Sequence, residues 1–295
     1  MERIIIGVDR IPESKRLTLL LGNFDGMHLG HFELVKDAKK NGEGELGVML
    51  FDQNPAIFLK QKSPKILTSL EDKIRLFSSY GFDYVFILPL NEALLNVSKD
   101  DFILHYLSLL NPSLIVVGED YTFGKRGEGN AFDLKKIFKV DIVPLKTSCG
   151  VKIGTQEIIG LLNRGEIEEA NALLGRNYEI HGKVVNGFHN GTSLGFPTAN
   201  LSLSSPYVIP RVGVYKTISY IRGVPHLSMT NIGNNPTLGL LLHPTIETFV
   251  LNFHETIYEE TMYLDFISFL REEKKFSSLD ELKEQLRKDV ASLYL

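Results

Sequence analysis

Leu17-Thr18-Leu19-Leu20-Leu21-Gly22-Asn23-Phe24-Asp25-Gly26-Met27-His28-Leu29-Gly30-His31 is the stretch that decides the fold of the first half of this chain. Leu17–Leu21 reads as a buried strand, Gly22–His28 as a loop, and the apolar spacing of Phe32, Leu34, Val35 and Ala38 as a helix. Strand, glycine loop and helix in that order open a mostly parallel α/β sheet, in which ligands bind beyond the carboxyl ends of the strands.

The pattern continues outward. Leu46–Phe51, Tyr84–Leu88, Leu114–Val117 and Asp141–Leu145 are further strands, with helices between them. Thr68 and Glu71 have capping-box spacing before a helix through Lys73–Tyr80, and Ser98 caps another that ends at Asn111-Pro112. A helical segment over Glu157–Leu174 follows, and Gly175 ends it. Beyond it the rhythm changes. Glu179–Asn186, Gly213–Arg222, His226–Ile232, Thr245–Phe253 and Met262–Leu270 are strands separated by Gly, Pro and Asn turns, as in an antiparallel barrel or sandwich. A last helix starts at Ser278 with Glu281 in capping-box position and shows one face of Leu279, Leu282, Leu286, Val290 and Leu293. The expected organisation is two domains, residues 1–175 and 176–295, without internal repeats.

Composition narrows the function. With 43 % hydrophobic and 23 % charged residues the chain is globular rather than disordered. Its net charge of −4 and lack of a Lys/Arg run argue against a nucleic-acid partner. Cys149 is the only cysteine, so an intrachain disulfide is excluded; it reads as a small packed residue. The apolar run Ile4–Val8 is too short for a signal peptide, and no stretch approaches the ~20 apolar residues of a membrane helix. These features lead us to expect a soluble cytoplasmic protein, with no membrane partner and no indication of oligomeric state.

The chemistry of the first half centres on His28 and His31. Two imidazoles spaced H-x-G-H at a strand–loop–helix junction can meet one phosphate group, helped by the helix N-terminus and by Gly22, Gly26 and Gly30. Imidazole donates a hydrogen bond while neutral, and a bound polyphosphate favours its charged form. Such a motif marks nucleotidylyl transferases. When the nucleophile is an ionised phosphate no general base is needed, and positioning and charge stabilisation carry the reaction. Phe51–Pro55 and Gly118–Gly124, each following a strand, are expected on the same sheet edge.

In the second half, Gly195-Phe196-Pro197-Thr198-Ala199-Asn200 puts a hydroxyl and an amide two residues apart, facing the same way in an extended segment. Both are hard ligands suited to Mg²⁺. The loop Asn186–Ser193 could fold over a nucleotide. Glu247 interrupts an apolar strand, where a carboxylate needs a task or a partner: it is either a proton acceptor for phosphoryl transfer to an alcohol or half of a buried ion pair. Arg271, Lys274 and Phe276 are candidates for an acceptor pocket or a solvated face.

Together these motifs resemble the bacterial bifunctional riboflavin kinase/FAD synthetase family over nearly the whole chain. The matching segments are Gly22–His31, Phe51–Pro55 and Gly118–Gly124, then Gly195–Asn200, Asn231-Ile232-Gly233 with Pro236-Thr237, Glu247-Thr248 and Phe269–Phe276. The resemblance implies a Rossmann-like FMN adenylyltransferase domain followed by a six-stranded antiparallel riboflavin kinase barrel with a terminal helix. It implies ATP as co-substrate, riboflavin, FMN and FAD as substrates and products, and Mg²⁺ held by Thr198 and Asn200. By the same analogy Glu247 is the kinase base, and His28 and His31 bind the phosphates of adenylyl transfer. Gly22, Phe24, Asp25, Gly26, Gly30, Pro55, Asp120 and Phe123 would shape the first pocket; Gly195, Pro197, Thr198, Asn200 and Arg271 the second.

The chain departs from the family in four places. Gly154-Thr155-Gln156-Glu157-Ile158-Ile159 stands where a Ser-Ser-Thr-x-Ile-Arg-like stretch is usual, so Ile159 replaces a phosphate-binding arginine and Gly154 a hydroxyl. Thr192 and Asn235 stand where basic residues are common. Two rivals therefore accompany the bifunctional enzyme: a chain in which only the kinase is efficient, and a non-catalytic flavin- or nucleotide-binding regulator. Class I aminoacyl-tRNA synthetases share H-x-G-H, but this chain lacks their basic Lys-Met-Ser-Lys-Ser-like loop.

Overall fold

In the computed structural model all five residues of Leu17–Leu21 are buried, because the strand has parallel neighbours on both sides and helices over both faces. The structure describes residues 1–13, 16–55, 64–148, 151–186, 196–233 and 244–294. Cys149, Thr192, Gly195 and Asn235, the loop glycines Gly187 and Gly191, and Pro236-Thr237 lie outside the described residues. The rest divides into two compact units, Met1–Thr155 and Gln156–Leu295.

The first unit runs β1 (Glu2–Ile5), β2 (Leu17–Leu21), α1 (Leu29–Asn41), β3 (Glu45–Phe51), α2 (Leu70–Ser79), β4 (Tyr84–Leu88) and α3 (Glu92–Leu95). Then come α4 (Lys99–Phe102), a π-helical stretch Ile103–Leu107, α5 (Ser108–Leu110), β5 (Leu114–Gly118), β6 (Thr122–Phe123) and β7 (Gly129–Asn130). It closes with α6 (Ala131–Lys135), β8 (Val140–Val143), β9 (Thr147–Ser148) and β10 (Val151–Lys152). The six-stranded sheet has the order β1-β4-β3-β2-β5-β8, and its pairs are parallel. Side chains alternate between its faces: Leu17, Leu19 and Leu21 join one apolar cluster, Leu20 the other. From β2 the chain builds toward β3 and β4, and later returns to place β5 on the other side. The loops after β2 and β5 thus diverge from adjacent strands and leave a crevice between them.

Two local expectations are corrected here. Glu2–Ile5 forms the edge strand β1, where the sequence offers only the short apolar run Ile4–Val8. The capping box of α2 lies one residue later than expected, on Ser69 and Asp72, because the Thr68 hydroxyl is engaged with Gly26 and Asp25.

The second unit begins with two helices rather than one. Gly165, at φ +81°, separates α7 (Thr155–Arg164) from α8 (Ile167–Leu174), and Gly175 caps α8 in the left-handed conformation. Asn171 of α8 ties this helix to the barrel by donating to the Phe266 carbonyl at 2.9 Å. The barrel strands are β11 (Tyr178–Val185), β12 (Thr198–Leu203), β13 (Gly213–Ile221), β14 (Val224–Gly233), β15 (Thr245–Val250) and β16 (Thr261–Arg271). They close in the order β11-β12-β15-β14-β13-β16, with antiparallel pairing, and β16 returns to β11. Tyr178, Tyr215 and Phe266 fill the barrel at 0 % exposure. Thr217, Ser219, Ser228, Thr230 and Thr248 also point inward and bond one another at 2.8–2.9 Å, which satisfies hydroxyls that would otherwise be costly to bury.

The terminal helix α9 (Leu279–Ser292) starts at Ser278, whose side chain accepts from the Glu281 N–H. Leu286, Val290 and Leu293 pack against Val214, Met229 and Leu251 on the outside of the barrel. Leu279 does not join them. It is 66 % exposed, because the apolar cluster ends before the helix's first turn.

Candidate active sites

The first site is a cavity of about 1010 Å³ at the carboxyl edge of the parallel sheet. All three expected segments line it: Gly22, Asn23, Phe24, His28, Gly30 and His31 after β2; Phe51, Asn54 and Pro55 after β3; Gly118 and Asp120–Gly124 after β5. His28 caps α1, its Nδ1 accepting from the His31 N–H at 3.3 Å, and the two rings stack with centroids 3.7 Å apart. Because Nδ1 accepts, the neutral His28 ring carries its proton on Nε2 and keeps that donor for a ligand. Burial pushes His28 down to about 4, with the Lys152 ammonium adding to the effect and the Asp120 carboxylate opposing it. Burial also drives His31 well below its ordinary value, aided by His28, Lys73 and Lys152. Both rings are therefore neutral near pH 7. The buried Nδ1 of His31 has no hydrogen-bond partner.

The loop that holds the histidines is wound tightly. Phe24, Gly26 and Met27 take φ values of 52°, 86° and 42°, and Phe24 and Met27 are buried. Asp25 explains how the strain is held: its carboxylate accepts from the Leu67 and Thr68 N–H groups at 2.9 and 3.0 Å. Gly26 N–H donates to Thr68 Oγ1, and Thr155 Oγ1 donates to the Asp25 carbonyl. Asp25 and Gly26, expected at the nucleotide, are not among the lining residues and instead frame the turn. The reason for Gly22 and Gly30 also changes. Neither has positive φ; a Cβ on Gly30 would stand 3.1 Å from the His28 ring, and one on Gly22 3.0 Å from the Phe24 ring. These glycines make room for rings.

Asp120 lines the cavity, as expected, but is already paired with Lys152 at 2.6 Å. Phe123 lies in the wall, 6 % exposed and stacked on Tyr121. Three cations that the sequence reading did not single out, Arg126, Lys146 and Lys152, also line the cavity. Gly154 and Thr155 line it too. Ile159, one turn along α7 from Thr155, brings no charge.

The second site is a row across the barrel wall. Asn200 stands opposite Glu247, Glu247 opposite Asn231, Asn231 opposite Val214, and Val214 opposite Arg271. One step along, Thr198 stands opposite Phe249. Thr198–Leu203 is thus a full strand, which the sequence reading treated only as an extended segment. On β15, Ile246, Thr248 and Val250 are buried while Glu247 is half-buried, so Glu247 shares the outer face with Thr198 and Asn200. Burial, and then the neighbouring Glu273 carboxylate, raises the Glu247 carboxyl above its usual range. Among the described residues Glu247 has no ion-pair partner within 4 Å. Pro197 is exposed just before β12, and the Phe196 ring meets Phe249 edge-on at 5.1 Å.

Arg271 is committed elsewhere. Its Nε and Nη2 hold Asp289 of α9 at 2.7–3.0 Å, and Nη1 donates to the Glu272 carbonyl. The pair is 15 % and 5 % exposed, so this guanidinium, expected to contact a ligand, fastens the terminal helix to the barrel. Glu273 was not anticipated either. Its carboxylate lies beside Gly233 and the Asn231 amide, a placement made by the register of β14 and the chain leaving β16.

Comparison with known proteins gives one answer for both units. Residues 10–158 match the FAD synthetase family and residues 174–294 the riboflavin kinase family. A bifunctional riboflavin kinase/FMN adenylyltransferase of Listeria monocytogenes is 38 % identical over 92 % of this chain and 89 % of its own length. The chain belongs to the bifunctional riboflavin kinase/FMN adenylyltransferase family. A Bacillus subtilis member is 34 % identical over 94 % of this chain and 91 % of its own. A Streptococcus pneumoniae structure, described as a macrolide-efflux protein, superposes with a TM-score of 0.89 at 30 % identity, covering 99 % of this chain and 98 % of that one. No helix among the described residues is long and apolar enough to cross a membrane.

Proposed function

We propose that this chain phosphorylates riboflavin to FMN in its barrel and adenylylates FMN to FAD in its parallel-sheet unit, using ATP in both steps. The observation that carries the reading is the coexistence of two site frames in one chain: the paired histidines at the mouth of the β2/β5 crevice, and the Asn200–Glu247 row on the barrel.

In the kinase step Glu247 takes the proton of riboflavin's terminal hydroxyl as its oxygen attacks the γ-phosphorus. The bond from that phosphorus to the β-phosphate oxygen breaks, and ADP leaves. A carboxyl raised by burial and by Glu273 is a better match to this task than an ordinary one. Thr198 and Asn200 fit magnesium by donor type, offering a hydroxyl and an amide oxygen on one face of β12 opposite the carboxylate. Bound there, the ion would neutralise charge on the ATP phosphates. Magnesium keeps much of its water shell, so waters and phosphate oxygens would complete its coordination there.

In the adenylyl step a phosphate oxygen of FMN bonds to the α-phosphorus of a second ATP, and pyrophosphate leaves with the electrons of the broken bond. No base is required. His28 offers Nε2–H to the phosphates, while Phe24, Pro55 and Phe123 shape the apolar walls. The kinase part starts near Gly175, with residues 1–175 and 176–295 as functional halves; the riboflavin kinase match begins at residue 174. Both co-substrates suit a cytoplasmic enzyme.

The test is to incubate the protein with magnesium and ATP, supply either riboflavin or FMN, and separate the flavins by chromatography. Riboflavin should yield FMN and then FAD, and supplied FMN should yield FAD. Absence of FMN from riboflavin would remove the kinase; FMN that accumulates without FAD would leave a kinase alone.

A further inference from the structure

The first turn of α7 holds Glu157 and no cation, although Thr155 at its start lines the adenylyl cavity. Charge must reach the α-phosphate region from another element. Lys146 and Lys152 line the cavity with one carboxylate each, Glu33 at 2.5 Å and Asp120 at 2.6 Å. Arg126 is exposed in the turn after β6. Lys152 stands apart because its field reaches both histidines, and Asp120 acts on His28 from the same side.

The backbone holds Lys152 in this position. Ile153 N–H donates to the Lys146 carbonyl at 2.9 Å, and the Ile153 carbonyl is 3.5 Å from where a Cβ on Gly30 would sit. Two residues later Thr155 Oγ1 bonds the Asp25 carbonyl at 2.9 Å. The residues that follow Lys152 are therefore fastened at Ile153 to the Lys146 carbonyl and at Thr155 to the histidine loop. Its partner is not a strong competitor. Lys152 and Asp120 have side chains 50 % and 53 % exposed, and such ion pairs are worth little. A polyphosphate can take the ammonium from Asp120 without breaking anything that holds the fold.

We propose that Lys152 is the catalytic cation of adenylyl transfer in this chain: it leaves Asp120 when ATP enters and stabilises the negative charge that builds on the α-phosphate and the departing pyrophosphate. Lys152 stays protonated throughout. The bond from the FMN phosphate oxygen to the α-phosphorus forms, the bond from that phosphorus to the bridging oxygen breaks, and pyrophosphate carries the electron pair away. The proposal rests on the adenylyl-transfer reading above.

The experiment measures FAD formation from FMN and magnesium-ATP for Lys152→Ala, Lys152→Gln and Lys152→Arg, with riboflavin phosphorylation by the same samples as the folding control. Lys152→Ala and Lys152→Gln should lower kcat by about 10²-fold, as loss of a single charge-stabilising donor does. The ATP KM should change much less, and Lys152→Arg should keep most of the rate. Titration with α,β-methylene-ATP gives a second readout: affinity should fall roughly tenfold in the Ala variant and return with Arg, as for loss of one charge-assisted phosphate contact. FAD formation within twofold of the parent, with unchanged analogue affinity, would overturn the proposal. If Lys152→Ala also loses kinase activity, the longer Gln variant decides. If the parent makes no FAD at all, adenylyl transfer itself fails, and unchanged analogue affinity then refutes the Lys152 contact on its own.

Discussion

The two sites solve different chemical problems with different parts of the backbone. The cavity by β2 is built from five stretches of the first 155 residues, and burial holds its histidines in their neutral form. The barrel site is a straight row of side chains on neighbouring strands, with a carboxyl that burial raises above its usual range. A reaction whose nucleophile is already ionised needs converging donors and positive charge, which loops around a crevice supply. A reaction that must remove a proton from an alcohol needs one well-placed carboxylate, which a strand register supplies. The difference implies that single substitutions should separate the two activities cleanly.

Glu247→Gln is the largest expected break. It keeps the shape of the row and removes the proton acceptor, so FMN formation should fall by about 10³-fold, roughly 4 kcal/mol in the barrier. FAD formation from supplied FMN should stay within twofold. Chromatography of flavins from the two incubations reads both, and a parallel loss of both activities in a folded variant would dissolve the two-site comparison.

The ion pair of Arg271 and Asp289 tests whether the barrel row depends on its helix. Asp289→Ala leaves a mostly buried guanidinium without its partner, which costs about 3 kcal/mol. Urea unfolding should show this as a lower midpoint for the barrel unit. Because α9 packs beside Phe249, riboflavin phosphorylation should weaken while adenylyl transfer persists. Retained stability would mean that Arg271 is free for a ligand after all.

The histidine loop makes a prediction that the barrel does not. The unfolded chain binds a proton on His28 near pH 6.5, whereas the folded chain does so only near pH 4. Between those values the unfolded state holds more protons, so stability rises with pH and is lost as pH falls through this window. His28 alone should contribute a loss of about 2 kcal/mol between pH 7 and pH 5. The check is the stability–pH slope of the parent minus that of His28→Gln, measured by denaturant unfolding over that range. Equal slopes would show that the ring is not buried in its neutral form.

Much of this was legible in the sequence, for physical reasons that particular residues make plain. Leu17–Leu21 and Tyr84–Leu88 are continuous apolar runs, and their strands have the expected bounds. Gly22–His31 was readable because its residues are adjacent. Lys152 was not, since its contact with Asp120 spans 32 residues and follows no spacing rule. Thr198–Leu203 hid as a strand because its outer face carries Thr198 and Asn200 rather than apolar residues. The capping box of α2 slipped by one because Thr68 and Ser69 are both good caps, and only the fold shows that Asp25 claims the first. Arg271 looked like a ligand contact because a lone arginine at a strand end does not reveal a partner 18 residues away.

The smallest expected effect probes the barrel's interior, where hydroxyls replace the apolar side chains that fill the parallel sheet. Thr230 bonds both Thr217 and Thr248, at 2.9 Å each, in the middle of the chain that runs from Ser219 to Thr248. Thr230→Val keeps the shape and deletes the link, breaking the bond to Thr248 and leaving Thr217 with Ser228. A lost buried hydrogen bond with its acceptor left dry costs about 1 to 2 kcal/mol. Thermal or urea unfolding should detect that loss. FMN formation measured well below the new midpoint should be nearly unchanged, because Thr248 points inward and Glu247 beside it points out. A kinase defect larger than the stability loss would show that the inner hydroxyl chain sets the register of the outer row. The barrel site would then rest on its core as closely as the histidine loop rests on Asp25.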